Sequence, residues 1–320
     1  MTFSFSIPRS IICGENALDH LATLKGKKAA LVTGGSSMKR FGFLDRAISE
    51  LNKAGMECTV IDNVEPNPSV ETVWRGAKAM LAFEPDWIVA IGGGSALDAA
   101  KAIVWFSKQQ GVNIETCVAI PTTSGTGSEV TSACVISDPD KGIKYPLFDN
   151  ALYPDIAILD PTLVVSVPPA ITANTGMDVL THALEAYVSP RASDFTDAMA
   201  EKAAQLVFQY LPTAVRRGDC LATRGKMHNA ATLAGMAFSQ AGLGINHAIA
   251  HQLGGQFHLP HGLANALLLG AVIRFNAGDK RAAKRYARLA KACHFCPTGA
   301  NDLVAINSLI QIGRASCRER

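Results

Sequence analysis

An excess of charge of one sign is missing: 30 Lys and Arg stand against 27 Asp and Glu, for a net charge of +3. The last nine residues, with Arg314, Arg318 and Arg320 against Glu319, supply two of those three positive charges. So even a balance excludes a nucleic-acid-binding surface. Long apolar runs are missing too. The longest, Leu263 to Ile273, is about half of what spans a bilayer, so no membrane span is expected. Met1 to Ser10 alternates apolar and polar residues, unlike a secretory leader. The paired cysteines of a structural zinc site are absent, since Cys293-His294-Phe295-Cys296 is a lone C-x-x-C. The eight cysteines (Cys13, Cys58, Cys117, Cys134, Cys220, Cys293, Cys296 and Cys317) are therefore read as reduced thiols of a cytoplasmic protein. What is present is core material. Hydrophobic residues make up 48% of 320 positions and charged residues 18%, which excludes disorder and suggests about two domains.

The first half alternates strand-like and helix-like segments. Lys28 to Thr33, Glu57 to Ile61, Trp87 to Ile91 and Thr116 to Ile120 read as strands, and Phe43 to Ala54, Val70 to Phe83 and Ala96 to Phe106 as helices. Repeated β-α-β units predict a parallel sheet with helices on its faces, and ligands at the carboxyl ends of its strands. After Val167-Pro168-Pro169 the character changes. Helical segments are expected near 177–187, 196–210, 223–241, 248–256 and 280–291, so residues 1–168 form an α/β nucleotide-binding domain and 169–311 an all-α domain.

Two loops after strands carry phosphate-binding chemistry. In Gly92-Gly93-Gly94-Ser95-Ala96-Leu97-Asp98 the glycines admit a pyrophosphate close to the backbone, and Ser95 is placed to cap the following helix. The loop departs from the G-x-G-x-x-G fingerprint, which argues against an ordinary Rossmann domain. The second loop, Pro121 to Glu129, offers the hydroxyls of Thr122, Thr123 and Thr126 to phosphate or ribose oxygens.

A metal centre is suggested further on. Asp178 and His182 lie four apart on one helical face. Four of the eight histidines (His247, His251, His258 and His261) fall within 15 positions. One carboxylate and three imidazoles suit a borderline divalent metal such as Fe²⁺ or Zn²⁺ with an open position. Spacing alone nominates His247 and His251, and leaves the choice among His251, His258 and His261 open.

Taken together, Val64-Glu65-Pro66-Asn67-Pro68, the Gly92–Ser95 loop with Asp98, Pro121 to Thr131, Gly176-Met177-Asp178 with His182, and the segment ending Pro260-His261-Gly262 resemble the iron-containing (group III) alcohol dehydrogenases, from about Phe3 to Gln311. The resemblance implies a dehydroquinate synthase-like fold and a metal held by Asp178, His182, His247 and His261. It implies that His251 points toward the nicotinamide, as a candidate proton shuttle, and that His258 is a bystander. It places Asn67, both loops and Lys144 along the cofactor site. The implied activity is hydride transfer between NAD or NADP and a small primary alcohol or diol and its aldehyde, with a homo-oligomer expected. A glycerol dehydrogenase, a sugar-phosphate cyclase of the same superfamily, or a non-catalytic fragment are the alternatives. NADP is expected to be accepted, because the first strand ends Thr33-Gly34-Gly35-Ser36-Ser37-Met38-Lys39-Arg40, with no acidic residue to repel a 2′-phosphate. Family members continue through further helices, whereas residues 312–320 resemble a translated sequencing adapter. A longer natural chain, and poor solubility of these 320 residues, are therefore expected.

Overall fold

The computed structural model describes residues 4–257 and 259–318. They divide into two units. One takes the residues through Thr123 and Gly127–Val165; the other takes Ser124–Thr126 and the residues from Ser166 on.

The first unit is built on a parallel sheet. Its elements are β1 (Ser10–Cys13), β2 (Lys28–Gly34), α1 (Ser37–Arg40), α2 (Phe43–Lys53), β3 (Glu57–Val64), α3 (Val70–Phe83), β4 (Trp87–Gly92), α4 (Gly94–Gln109), β5 (Thr116–Pro121), β6 (Ala133–Asp138), β7 (Ile143–Phe148) and β8 (Ile156–Leu159). The sheet order is β1-β8-β5-β4-β2-β3, with every pair parallel. Because side chains alternate along a strand, two cores form. Ala29, Leu31, Val89, Ile91, Val118 and Ile120 pack with Leu44, Ala47 and Leu51 of α2. Ala30, Val32, Ile88, Ala90, Cys117 and Ala119 pack with Met80 of α3 and Leu97, Ala100 and Ile103 of α4. Burial on both faces is why these strands read as unbroken apolar runs.

The chain steps from β2 to β3 at one edge, then returns to lay β4 on the other flank of β2. The order therefore reverses between β2 and β4, where open α/β sheets bind ligands beyond the carboxyl ends. The backbone there is crowded. A Cβ on Gly34 would lie 2.7 Å from the Val64 carbonyl oxygen, and one on Gly92 would lie 2.7 Å from the Ala96 Cβ. The antiparallel β6–β7 hairpin was not expected from the sequence, although Ala133 to Ile136 is a short apolar run. It is tied to α4 by buried Lys101, whose ammonium donates to the Thr131 carbonyl and hydroxyl and to the Ala133 carbonyl.

The second unit is helical: α5 (Pro169–Val188), α6 (Asp194–Arg216), α7 (Leu221–Ala241), α8 (Ile245–Phe257), α9 (His261–Asn276), α10 (Lys280–Ala292) and α11 (Asp302–Arg318). Pro169 opens α5 at a position where its missing N–H costs nothing. Ser193 and Thr196 form a capping box at the start of α6. Helix α9 contains the longest apolar run and α11 extends through Arg318; neither was foreseen as a helix. Residues 319–320 of the supposed tail lie outside the described residues, as does His258. Among the described residues no helix is long and apolar enough to cross a membrane.

Helix α5 is buried nearly all round, from Gly176 through Tyr187, and it is fixed at both ends. Arg224 of α7 donates to the Val167 carbonyl and the Thr172 hydroxyl, each at 2.7 Å. At the far end Arg285 donates to the Tyr187 carbonyl at 2.5 Å, and Arg281 donates to the carbonyls of Val188 and Ser189. These cations meet the orphan carbonyls and the negative end of the helix dipole. The side chains on α5 are held accordingly.

Candidate metal centre and nucleotide loops

Three helices bring four donor atoms together. Asp178 and His182 come from α5, His247 from the first turn of α8, and His261 from the first residue of α9. One ligand atom from each lies within 4.8 Å of the others. From Asp178 Oδ1 the distances are 3.4 Å to His247 Nε2, 3.4 Å to His261 Nε2 and 4.0 Å to His182 Nε2. Asp178, His182 and His247 are buried, while the His261 side chain is 41% exposed and marks the open side.

The ring planes are held by packing. His182 stacks between Phe238, at 4.4 Å between centroids, and His247, at 4.5 Å. His247 is held by hydrogen bonds as well. Its Nδ1 lies 2.5 Å from Glu185 Oε2, and the other Glu185 oxygen accepts from the Asn246 backbone N–H at 2.7 Å. Asn265 of α9 donates to Asp178 Oδ1 at 2.6 Å and lies 3.1 Å from His247 Nε2.

These residues fit a divalent cation. A tetrahedron with bonds of about 2.1 Å has edges of about 3.4 Å, as two of the Asp178–imidazole distances do. The charges agree. Asp178 and Glu185 are two buried carboxylates, and among the described residues neither forms an ion pair with lysine or arginine. Burial would raise the Asp178 carboxyl, but the His182 and His261 imidazoles and the hydrogen bond to His247 hold it far below the ordinary carboxylate value. Burial, joined by the neighbouring imidazoles, pushes His182 down to about 3 against the pull of Asp178. At His247 burial acts downward too, yet the hydrogen bonds to Asp178 and Glu185 outweigh it and lift the imidazole to about 9. The site thus calls for positive charge, which a divalent ion supplies without a proton.

His251 lies one turn beyond His247 on α8, outside the four converging donors. Its ring stacks on His261 at 5.1 Å between centroids and stands 6.1 Å from His247. Spacing alone nominated His247 and His251, whereas the donors that converge include His261 and not His251. Asp178 and His182 set the meeting point on α5, and His261 arrives there from the start of α9.

In the other unit, Thr122 donates its N–H to the Gly92 carbonyl at 2.8 Å, and Gly93 lies beside Thr123, so the two loops adjoin. The Asn67 N–H donates to Ser95 Oγ at 3.3 Å, and Lys144 Nζ donates to Asn67 Oδ1 at 2.9 Å. Ser95 is not the helix cap that the sequence suggested. The helix begins at Gly94, with Gly93 as its N-cap, so Ser95 falls inside the first turn. Asp98 braces the framework: its oxygens accept from the Ser128 hydroxyl at 2.7 Å and the Val135 N–H at 3.0 Å. Burial raises its carboxyl, opposed by Lys101 and these hydrogen bonds. Gly35 is exposed just after β2, with φ +59°.

Thr126 is exposed in the segment Ser124–Thr126, which belongs with the helical unit. There Ser124 Oγ is 3.0 Å from His228 Nδ1.

Sequence reasoning missed Glu185, Asn246 and Asn265. The signal for Glu185 was available, because it follows Asp178 by seven and His182 by three and so shares their helical face. Asn265 likewise follows His261 by four.

The iron-containing alcohol dehydrogenase family matches residues 8–161, and the C-terminal region of Fe-containing alcohol dehydrogenases matches residues 172–312. The 1-propanol dehydrogenase PduQ of Citrobacter freundii is 69% identical over 308 residues, covering 96% of this chain and 83% of that protein. The NADPH-dependent butanol dehydrogenase of Clostridium saccharobutylicum is 48% identical, over 96% of this chain and 82% of its own length. Among solved structures, a 1,3-propanediol oxidoreductase superposes with a TM-score of 0.91 at 36% identity, over 99% of this chain and 86% of that one.

Proposed function

We propose that this chain, which belongs to the iron-containing alcohol dehydrogenase family, interconverts 1-propanol or a similar short primary alcohol or diol with its aldehyde, using NAD(P) and one divalent ion at Asp178, His182, His247 and His261. The fold, a parallel α/β unit followed by a helical unit, is that of the family. The observation that carries the reading is the convergence of one carboxylate and three imidazoles from three helices. Asp178, His182, His247 and His261 would hold the ion, which would supply Lewis-acid polarisation of the alcohol oxygen, and a nicotinamide would supply the hydride acceptor.

The chain's own residues bind and orient. Asp178, kept ionised, balances the cation, and the buried rings of His182 and His247 are fixed by stacking and by Glu185. The exposed side of His261 leaves room for the alcohol oxygen. His251, beside His261 and exposed, is the group suited to take the alcohol proton and release it to solvent. The N–H groups opening α4 suit a pyrophosphate, with Thr122, Thr123, Asn67 and Lys144 alongside. The proposal extends to a cytoplasmic homo-oligomer whose partners are small molecules rather than nucleic acid or membrane, in keeping with a net charge of +3.

Iron-loaded protein is expected to reduce propanal with NADH and also with NADPH, since residues 34–40 hold no carboxylate and expose Lys39 and Arg40. Turnover with NADH alone would remove the NADPH reading, and no turnover with either would remove the function. His251→Gln is expected to lower kcat by about 10²-fold with metal content unchanged. An unchanged kcat, or loss of the metal, would contradict its placement.

A further inference from the structure

We infer that Glu185 is a positioning residue of the metal centre: by accepting from His247 Nδ1 it fixes the ring so that Nε2 is the nitrogen turned toward the ion. The inference rests on the metal reading above and deepens it.

A closed ring of hydrogen bonds carries the argument. Glu185 Oε2 faces His247 Nδ1 at 2.5 Å, and an ionised carboxylate can only accept, so the proton belongs on Nδ1. Beyond the imidazole the ring continues through two asparagines. Asn246 Nδ2 donates to Asn265 Oδ1 at 2.8 Å, which fixes the Asn265 amide with its oxygen toward Asn246 and its NH₂ toward the site. That NH₂ donates to Asp178 Oδ1 at 2.6 Å and stands 3.1 Å from His247 Nε2 and 3.2 Å from His261 Nε2, so it faces the donor atoms of the site. The ring closes where the Asn246 N–H donates to Glu185 Oε1 at 2.7 Å. All four residues are buried, so water cannot substitute for a missing partner. The chain also makes room for the carboxylate: a Cβ on Gly244 would lie 2.9 Å from Glu185 Oε1.

Glu185→Gln tests this. Glutamine offers one acceptor oxygen where the Asn246 N–H and the His247 Nδ1–H need two, so one of them loses its partner. Expected is a zinc affinity, measured by chelator competition, about 10–100-fold below wild type. Far-UV circular dichroism and NADH affinity should stay unchanged, although a merely structural role would move both. Wild-type zinc affinity in this variant would overturn the inference.

A second measurement needs no variant. In wild-type protein loaded with zinc and labelled with ¹⁵N-histidine, His247 is expected to bind zinc through Nε2 and carry its proton on Nδ1. Zinc on Nδ1, or a proton on Nε2, would overturn the inference whatever Glu185→Gln does. Wild-type protein that takes up no zinc would overturn the metal reading itself, and this inference with it.

Discussion

Asp178→Asn is expected to yield a folded chain that binds a divalent ion on the order of 10²-fold more weakly and oxidises alcohol on the order of 10³-fold more slowly. The substitution keeps the shape of the side chain and an oxygen that can still accept from Asn265. What it removes is charge. Asp178 is the one anionic member of the four-donor set and is held ionised by the imidazoles around it. Without it a dication would face three neutral rings and an amide, with the Glu185 side chain one step removed behind His247. Metal analysis after gel filtration, with circular dichroism on the same sample, checks the expectation. Stoichiometric metal and full activity in the variant would show that the ion sits elsewhere.

Gly262→Ala is expected to be nearly as damaging, through geometry. A Cβ at Gly262 would lie 2.0 Å from the carbonyl oxygen of Asn174 and 2.5 Å from its carbonyl carbon. Those are backbone atoms of α5, one turn before Asp178, and α5 is clamped at both ends. No rotamer change relieves the clash, so α9 must move away and carry His261 with it. Overpacking against a fixed backbone costs about 3 kcal/mol, and the displaced imidazole lowers metal affinity as well. Gly255→Ala on α8 is the control. It meets nothing within 4 Å and should be neutral or up to about 1 kcal/mol stabilising. Urea denaturation with metal titration distinguishes the two, and equal stability of both variants would contradict the close approach of α9 to α5.

The sheet was legible because β2, β4 and β5 are apolar runs too short for a helix and are followed by glycine or proline turns, as strands buried on both faces are. The β6–β7 hairpin was not. Its pattern of half-exposed residues depends on α4 and on Lys101, which no local window reveals. At the metal centre, spacing found Asp178 and His182, since both lie on one helix. It could not choose the third imidazole. His261 joins the set because α9 begins against α5, a tertiary fact, and the family resemblance supplied that choice where spacing left His251, His258 and His261 open. Glu185 was within reach of the same helical arithmetic, but a glutamate among alanines and leucines reads as an ordinary helix residue until its partner on another helix is known.

The most direct measurement is an anomalous-difference map at the iron absorption edge from crystals of the iron-loaded protein. One peak is expected, at about 2.1 Å from Asp178 Oδ1 and from the Nε2 atoms of His182, His247 and His261. A peak that includes His251 in place of His261, or one remote from α5, would contradict the account.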